Sequence, residues 1–407
     1  MTHPVLAELF DALDRQAIGW VLLRTPSNPS APAGDVDLLV AAGAAPAFRR
    51  VAEERGFVAM PGYTGAPNLI LMRYDRRSDN WLVLDAATSV AFDDDRIVLD
   101  GLADVILARR RHDGSAWVPG DEDAFWLLVL RCLLDKGAVP GHYERRLRDG
   151  ADSARGPVAA ALARAVDVEP LRVAAAAGDW DGLLAPAAEA RQALQTPRSL
   201  RARAARAARW ARRPLLIPRR CGVSIALLGS NGAGKSTLAA ELRARLPLPS
   251  ELVYMGLWKV DEPGGAQGLT AALRRPLRMW RRYAGALRLQ LQGRVVVFDR
   301  YVYDAHLPPS PPLLPLKRVY LRALTRGLPA PDLAVVLDVP PEVAYARKHE
   351  NTLEELAGER DVYRRLAARL PHAASVDGAR PPDEVRADVT QLVWRRLSER
   401  WRGRAAR

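Results

Sequence analysis

The chain alternates between two hydrophobic textures, and the boundaries between them divide it. Residues 4–16 place Val5, Leu6, Leu9 and Leu13 on one face at helical spacing. Ile18 to Leu23 is a short β-like run, and a Pro/Ser/Asn/Gly-rich loop follows over 25–34. Val36 to Val40 predicts a second strand, and 45–55 predicts a helix ending at Gly56. Leu69–Arg73 and Trp81–Leu84, separated by the polar stretch Asp75–Asn80, predict a hairpin. From 121 to 195 the period becomes helical and Ala/Leu-rich, with Asp121 as the expected N-cap and Glu122 and Asp123 in the first turn. From Val223 the pattern changes again. Val223–Leu228, Val295–Phe298 and Leu333–Leu337 are continuous apolar runs separated by helical stretches, as in a parallel sheet with both faces covered.

This pattern predicts four parts: a mixed α/β domain over 1–120, a helical extension over 121–195, a connector over 196–220, and an α/β three-layer domain over 221–407. A chain of 407 residues is long enough for two or three domains. Hydrophobic residues make up 49% and charged residues 26%, which excludes collagen and wholesale disorder. No run of about 18 apolar residues predicts a membrane span, and the N-terminus lacks the pattern of a signal peptide. Two cysteines, Cys132 and Cys221, cannot build a disulfide framework or a four-cysteine zinc site, so a cytoplasmic location is expected.

The net charge of +13 is concentrated rather than spread. Residues 196–220 hold Arg198, Arg201, Arg203, Arg206, Arg209, Arg212, Arg213, Arg219 and Arg220 and no acid. Nucleic acid is therefore not an expected partner. The connector reads as a solvated helical linker, with peripheral contact to acidic lipid as the alternative. The oligomeric state is open.

The strongest chemical signal is Gly229-Ser230-Asn231-Gly232-Ala233-Gly234-Lys235-Ser236-Thr237, which fits G-x-x-x-x-G-K-[ST] between a strand and a helix. Glycines let successive backbone N–H groups turn toward phosphate oxygens, and the helix adds its positive N-terminal end. Lys235 is one of only five lysines, so its retention in an Arg-rich chain points to a specific use. The pattern implies ATP as cofactor, with Lys235 at its β- and γ-phosphates and Ser236 toward Mg²⁺. A transporter-type ATPase would add a Leu-Ser-Gly-Gly-Gln signature and an apolar strand ending in Asp-Glu; neither is present.

The strand Val295–Phe298 ends instead in Asp299-Arg300-Tyr301-Val302-Tyr303-Asp304. That segment resembles the Asp-Arg-Tyr/His element of thymidylate kinases and related P-loop kinases. Pro331–Ala344 resembles their next strand and helix start. Arg347 and Lys348 resemble the opening of their lid, and Arg360, Tyr363 and Val376-Asp377-Gly378 resemble the lid's end and the adenine-side loop. The resemblance spans roughly 221–400. It implies catalytic roles for Lys235, Asp299, Arg300 and Arg347, with Ser236 and Asp299 at Mg²⁺ and Arg300 on an acceptor phosphate. Two departures leave the acceptor open. Leu252–Lys259 stands where the family has Arg-Glu-Pro-Gly-Gly-Thr, and Asp304-Ala305-His306-Leu307 stands where it has an Ala-Tyr-Gln element. Arg274, Arg275, Arg278, Arg281, Arg282, Arg288 and Arg294, with Trp280 and Tyr283, lie near the expected acceptor side. They suit a small-molecule or lipid-phosphate acceptor, or a solvated helix face. The expected activity is ATP-dependent phosphoryl transfer to a phosphate or hydroxyl; genuine dTMP kinase activity and an ATP-binding switch are the alternatives.

In the first domain, Asp35 and Asp37 lie at i and i+2 of one strand and so share a face, and Asp85 ends a second strand. Crowded carboxylates need a compensating cation, and two-metal sites are built this way. Residues 18–90 resemble the nucleotidyltransferases of polymerase-β-like fold, which implies an α+β domain with Asp35, Asp37 and Asp85 as metal ligands. The family's Gly-Ser turn is replaced by Leu23-Arg24-Thr25. Asp93–Asp95 reads as a solvated turn. No H-E-x-x-H or G-x-S-x-G occurs, so zinc and serine hydrolases have no support.

Overall fold

The computed structural model describes residues 2–24, 26, 28–61, 68–92, 97–99, 101–114, 116–194, 222–256, 269–307 and 315–405. The basic connector, Asp93–Asp95 and Leu257–Lys259 lie outside the described residues. The chain divides into two compact units, Met1–Arg212 and Arg213–Arg407.

In the first unit, α1 (Pro4–Arg15) begins with proline at its first position, and the His3 ring accepts from the Val5 amide at 3.3 Å. Its apolar stripe, Val5, Leu6, Leu9, Phe10 and Leu13, is buried. Strands β1 (Trp20–Leu22), β2 (Asp35–Val40), β3 (Val58–Ala59), β4 (Leu69–Asp75) and β5 (Asn80–Ala87) form one sheet in the order β1-β2-β5-β4-β3. Only β2 and β5 pair in parallel; β1–β2, β4–β5 and β3–β4 are antiparallel. Helix α2 (Ala45–Glu54) joins α1 on the core that includes Trp20, Leu38, Phe48 and Leu84. The hairpin of 69–84 forms as expected, but β5 runs on to Ala87. Asp85 therefore lies inside the strand rather than at its end.

Two short hairpins, β6 (Val90–Phe92) with β7 (Ile97–Leu99) and β8 (Arg111–Asp113) with β9 (Ala116–Val118), flank α3 (Leu102–Arg109). The helical stretch follows as α4 (Asp121–Leu130), α5 (Gly141–Gly150), α6 (Pro157–Leu162), α7 (Val168–Ala177), α8 (Trp180–Leu184) and α9 (Ala187–Leu194). Asp121 opens α4 instead of capping it; Gly120 holds the cap position. Residues 131–136 continue α4 as a π-helical turn, where Arg191 donates to the carbonyls of Leu133 and Leu134. Glu122 is buried and accepts from the Val158 and Ala159 amides, so it caps α6 across the bundle.

In the second unit, β10 (Ser224–Leu228), β11 (Ser250–Tyr254), β12 (Val295–Asp299), β13 (Leu333–Asp338) and β14 (Ala373–Asp377) form an all-parallel sheet in the order β11-β12-β10-β13-β14. Every residue of β10 and the Val295–Phe298 run are buried, as a doubly covered parallel strand requires. The connecting helices are α10 (Lys235–Arg245), α11 (Leu269–Leu291), α12 (Pro315–Gly327), α13 (Pro341–Arg347), α14 (Leu353–Arg369) and α15 (Pro382–Ala405). Asp332, at the start of β13, accepts from the Ser224 amide and from Arg400, which ties α15 to the amino ends of two central strands. Because β10 feeds neighbours on both sides, the crevice outside the carboxyl ends of β10, β12 and β13 is the topological switch point, where such sheets bind ligands.

Candidate active site

The loop between β10 and α10 turns on glycines. Gly232 and Gly234 have φ of +80° and +87°. A Cβ on Gly232 would lie 2.2 Å from the Ala344 carbonyl oxygen, so the loop sits directly against the α13 backbone. Ala233 is buried and the Ser230 carbonyl accepts from its amide, closing the turn. Gly234 is the cap residue of α10, which places Lys235, Ser236 and Thr237 in the helix's first turn.

Lys235 is only 7% exposed. Its ammonium donates to the carbonyl oxygens of Gly229 and Ser230, both at 2.8 Å. Burial pushes it down to about 8 and Arg300 adds to the fall, while Asp304, Asp299 and Glu359 pull the other way. Ser236 Oγ donates to Asp299 Oδ2 at 3.1 Å, so the loop's hydroxyl and the carboxylate ending β12 face one point. Two hard oxygen donors side by side fit a divalent cation such as Mg²⁺. Thr237 is exposed one position further on.

Arg300 follows Asp299 with φ +66°, a left-handed conformation that costs a side-chain-bearing residue about 1–2 kcal/mol. One guanidinium nitrogen donates to Asn231 Oδ1 at 2.7 Å, and another lies 3.5 Å from Asp304 Oδ2. The sheet thus brings together Lys235, Ser236, Asp299 and Arg300, which the sequence separates by some 65 positions.

Helix α14 contributes Glu359, which the sequence patterns did not single out, beside Tyr363 and Arg360 of the segment that resembles the lid's end. Glu359 Oε2 accepts from the Asn231 amide at 3.2 Å, and Tyr363, one turn later, donates to Asp304 at 2.9 Å. Burial raises both the Glu359 and the Asp304 carboxyls above the ordinary range. The i, i+4 spacing of Glu359 and Tyr363 was the available signal, since it puts them on one helix face. Arg360 and Arg364 both hold Asp338 at the end of β13, at 2.5 and 2.8 Å. Their bonds outweigh the upward push of burial, and the Asp338 carboxyl falls below its usual range.

Arg347 stands apart from the residues gathered on the phosphate loop. Expected at the transferring phosphate, it ends α13 and donates to the Gly378 carbonyl at 3.1 Å, on the loop after β14. Leu252, Val253 and Tyr254 also depart from expectation: they belong to β11 itself, and Tyr254 ends it beside Asp299. On α11, Leu277 and Trp280 are exposed while Tyr283 is buried, and the Arg282 guanidinium lies 5.9 Å above the Tyr254 ring.

In the first unit Asp37 and Asp85 are direct partners across the parallel β2–β5 pair, with Asp35 two residues back on the same face. Burial, and then the Asp37 charge, raise both the Asp35 and the Asp85 carboxyls. The three-carboxylate metal centre does not form, however. Arg24 takes Asp37 in an ion pair at 2.5 Å, and Asp85 Oδ1 is buried without a hydrogen-bond partner. Among the described residues no group of three or more His, Cys, Asp or Glu could hold a metal ion.

No family model matches the chain. The thymidylate kinase of Thermomicrobium roseum is 34% identical over 208 residues, covering 43% of this chain and 94% of that protein. The thymidylate kinase of Xanthomonas campestris pv. campestris strain B100 is 29% identical over 201 residues, covering 44% and 87%. A solved thymidylate kinase from Candida albicans matches with 20% identity and a TM-score of 0.37, covering 44% of this chain and 93% of that one. Among the described residues no helix is long and apolar enough to cross a membrane.

Proposed function

Over about 43% of its length the chain belongs to the thymidylate kinase family and is a nucleotide kinase-like phosphotransferase, and from that premise we propose that it transfers the γ-phosphoryl group of ATP to an acceptor bearing a phosphate. The observation that carries the reading is the convergence of Lys235, Ser236, Asp299 and Arg300 at the carboxyl ends of β10 and β12.

Each group has a task there. The backbone N–H groups of 229–237 cradle the ATP phosphates. Lys235 exchanges the Gly229 and Ser230 carbonyls for β- and γ-phosphate oxygens, which bond a cation more strongly. Ser236 and Asp299 would hold Mg²⁺, which neutralises phosphate charge when bound. Arg300 meets the acceptor's phosphate and brings one of its oxygens in line with the γ-phosphorus. ADP leaves as the new bond forms. Arg347 fixes the 376–378 loop on the adenine side.

The acceptor's remaining part is bound differently from dTMP in the family, because the segments that grip thymidylate there are replaced. Aromatic Tyr254 with Arg282 favours a planar or anionic acceptor over an aliphatic alcohol. Release of ADP from ATP, measured with dTMP, dCMP, dAMP, dGMP and their ribose counterparts, tests the reading. Turnover with one of them, lost in Lys235→Ala, supports it; no turnover with any would refute it.

For the first unit we infer a nucleotidyltransferase-like module that acts as a scaffold rather than a catalyst. The mixed sheet with paired Asp37 and Asp85 supports the fold, and the Arg24–Asp37 ion pair favours the scaffold. Two-metal transfer would require that pair to open.

A further inference from the structure

Asp304 lies outside the phosphate loop and the Asp299-Arg300 pair, yet it is buried at 5% exposure in the short turn Val302–His306. Its Oδ1 accepts from the Tyr363 hydroxyl at 2.9 Å, and its Oδ2 lies 3.5 Å from an Arg300 nitrogen. The opposite side of the same guanidinium is bonded to Asn231 of the phosphate loop at 2.7 Å. Arg300 is therefore spanned between the loop and a buried carboxylate that α14 holds in place.

Three facts say that this arrangement is maintained against a cost. A buried carboxylate is expensive unless it is paired. Arg300 keeps a left-handed backbone, which persists only where surrounding contacts over-determine it. Lys235 and Arg300 stand close enough to oppose each other's charge, and Asp304 acts on both as the counter-charge. A side chain that served only packing would need neither a charge nor a hydroxyl partner on a different helix.

We propose that Asp304 is a positioning residue that, held by Tyr363, fixes the Arg300 guanidinium for the acceptor's phosphate and links that grip to α14. The proposal rests on the phosphate-acceptor reading above, and it adds two residues, Asp304 and Tyr363, to the machinery of that site. The carboxylate touches neither substrate. It pairs with Arg300 directly and reaches Lys235 only through space, so its removal affects acceptor binding far more than donor binding.

The test uses the full chain, saturating MgATP, and whichever of the eight nucleoside monophosphates turns over fastest with the unaltered protein. Asp304→Asn keeps the shape and the Tyr363 bond but removes the charge. It is expected to raise KM for the acceptor about tenfold, the size of losing a bond to a charged group. The dissociation constant of MgADP, measured by calorimetry, stays within about twofold, as uncoupled sites predict. Tyr363→Phe moves KM in the same direction by less and serves if Asp304→Asn fails to fold. In an Arg300→Ala background, Asp304→Asn has no further effect on KM, because the residue through which it acts is gone. An unchanged KM in both variants, effects that add in the double variant, or a rise in KM matched by an equal loss of MgADP affinity would overturn the proposal. Absence of turnover by the unaltered protein with all eight acceptors overturns the acceptor reading, and this proposal with it; a normal KM in the variants overturns the role of Asp304 alone.

Discussion

Replacing Lys235 by methionine should abolish function and leave stability nearly unchanged, because the two effects have separate origins in the same contacts. The ammonium is buried and held at about 8 instead of its ordinary 10.5. At pH 7 the folded protein carries that charge in a place that disfavours it, at a cost of roughly 3 kcal/mol. The sign follows from linkage: the unfolded chain holds the proton more tightly, so this cost fades as pH rises from about 8 toward 10.5. Methionine of similar length removes the cost. It also leaves the Gly229 and Ser230 carbonyls without their donor, at about 1–2 kcal/mol each. The terms nearly cancel, so the melting temperature of this unit shifts by no more than about 4 °C. Turnover has no such compensation. On the proposed function the variant lacks the cation for the β- and γ-phosphates, and loss of one preorganised group of this kind costs about 10²–10³ in rate. Thermal denaturation and ADP release on the same preparation check both halves. Turnover within a few-fold of the unaltered protein would sink the assignment of Lys235. A collapse of the melting temperature would mean that the lysine holds the loop together instead of serving a ligand.

Further outcomes follow from single contacts. With dTMP the catalytic efficiency should fall below about 10⁴ M⁻¹s⁻¹, since the segments that grip thymidylate in the family are replaced; steady-state kinetics decides it. Gly232→Ala should weaken MgADP binding by calorimetry, because the new methyl group would meet the Ala344 carbonyl at 2.2 Å and the loop must shift; unchanged affinity would mean that α13 yields freely. Asp332→Ala should destabilise the second unit by about 3 kcal/mol in urea, because it strands Arg400. Asp332 is held below its ordinary value despite burial, so the stability it gives is present above about pH 4 and lost as pH falls further. Asp85→Asn should raise the stability of the first unit at neutral pH. Its carboxyl is raised, so it favours the fold only while protonated, and that contribution vanishes as pH rises through the folded value. A melting temperature that does not move, or falls, would refute the crowding of Asp35, Asp37 and Asp85.

What the amino-acid order determined by itself was local. Continuous apolar runs at Val223–Leu228, Val295–Phe298 and Leu333–Leu337 identify buried parallel strands, since only a doubly covered strand tolerates apolar residues on both faces. Gly232, Gly234, Lys235 and Ser236 specify the loop, since positive φ and a phosphate-reaching cation are properties of those residue types at that spacing. Side-chain partners were decided only by the tertiary fold. The chain order places Arg347 at the end of a helix; that its guanidinium donates to the Gly378 carbonyl follows from α13 ending beside the loop after β14. Asp35 and Asp37 share a face by period alone. That Asp85 joins them depends on the register between β2 and β5, and that Arg24 neutralises Asp37 depends on where the chain leaves β1. Asp304 and Tyr363 fall in segments that resemble the kinase family but were given no partner there, and Glu359 carries no motif at all. They gain their meaning from α14 packing on β13 and β14 and reaching the turns after β10 and β12, where burial turns ordinary acids into costly charges that must find partners. Periodicity records which face of an element is apolar; it contains no information about which distant polar group that face will meet.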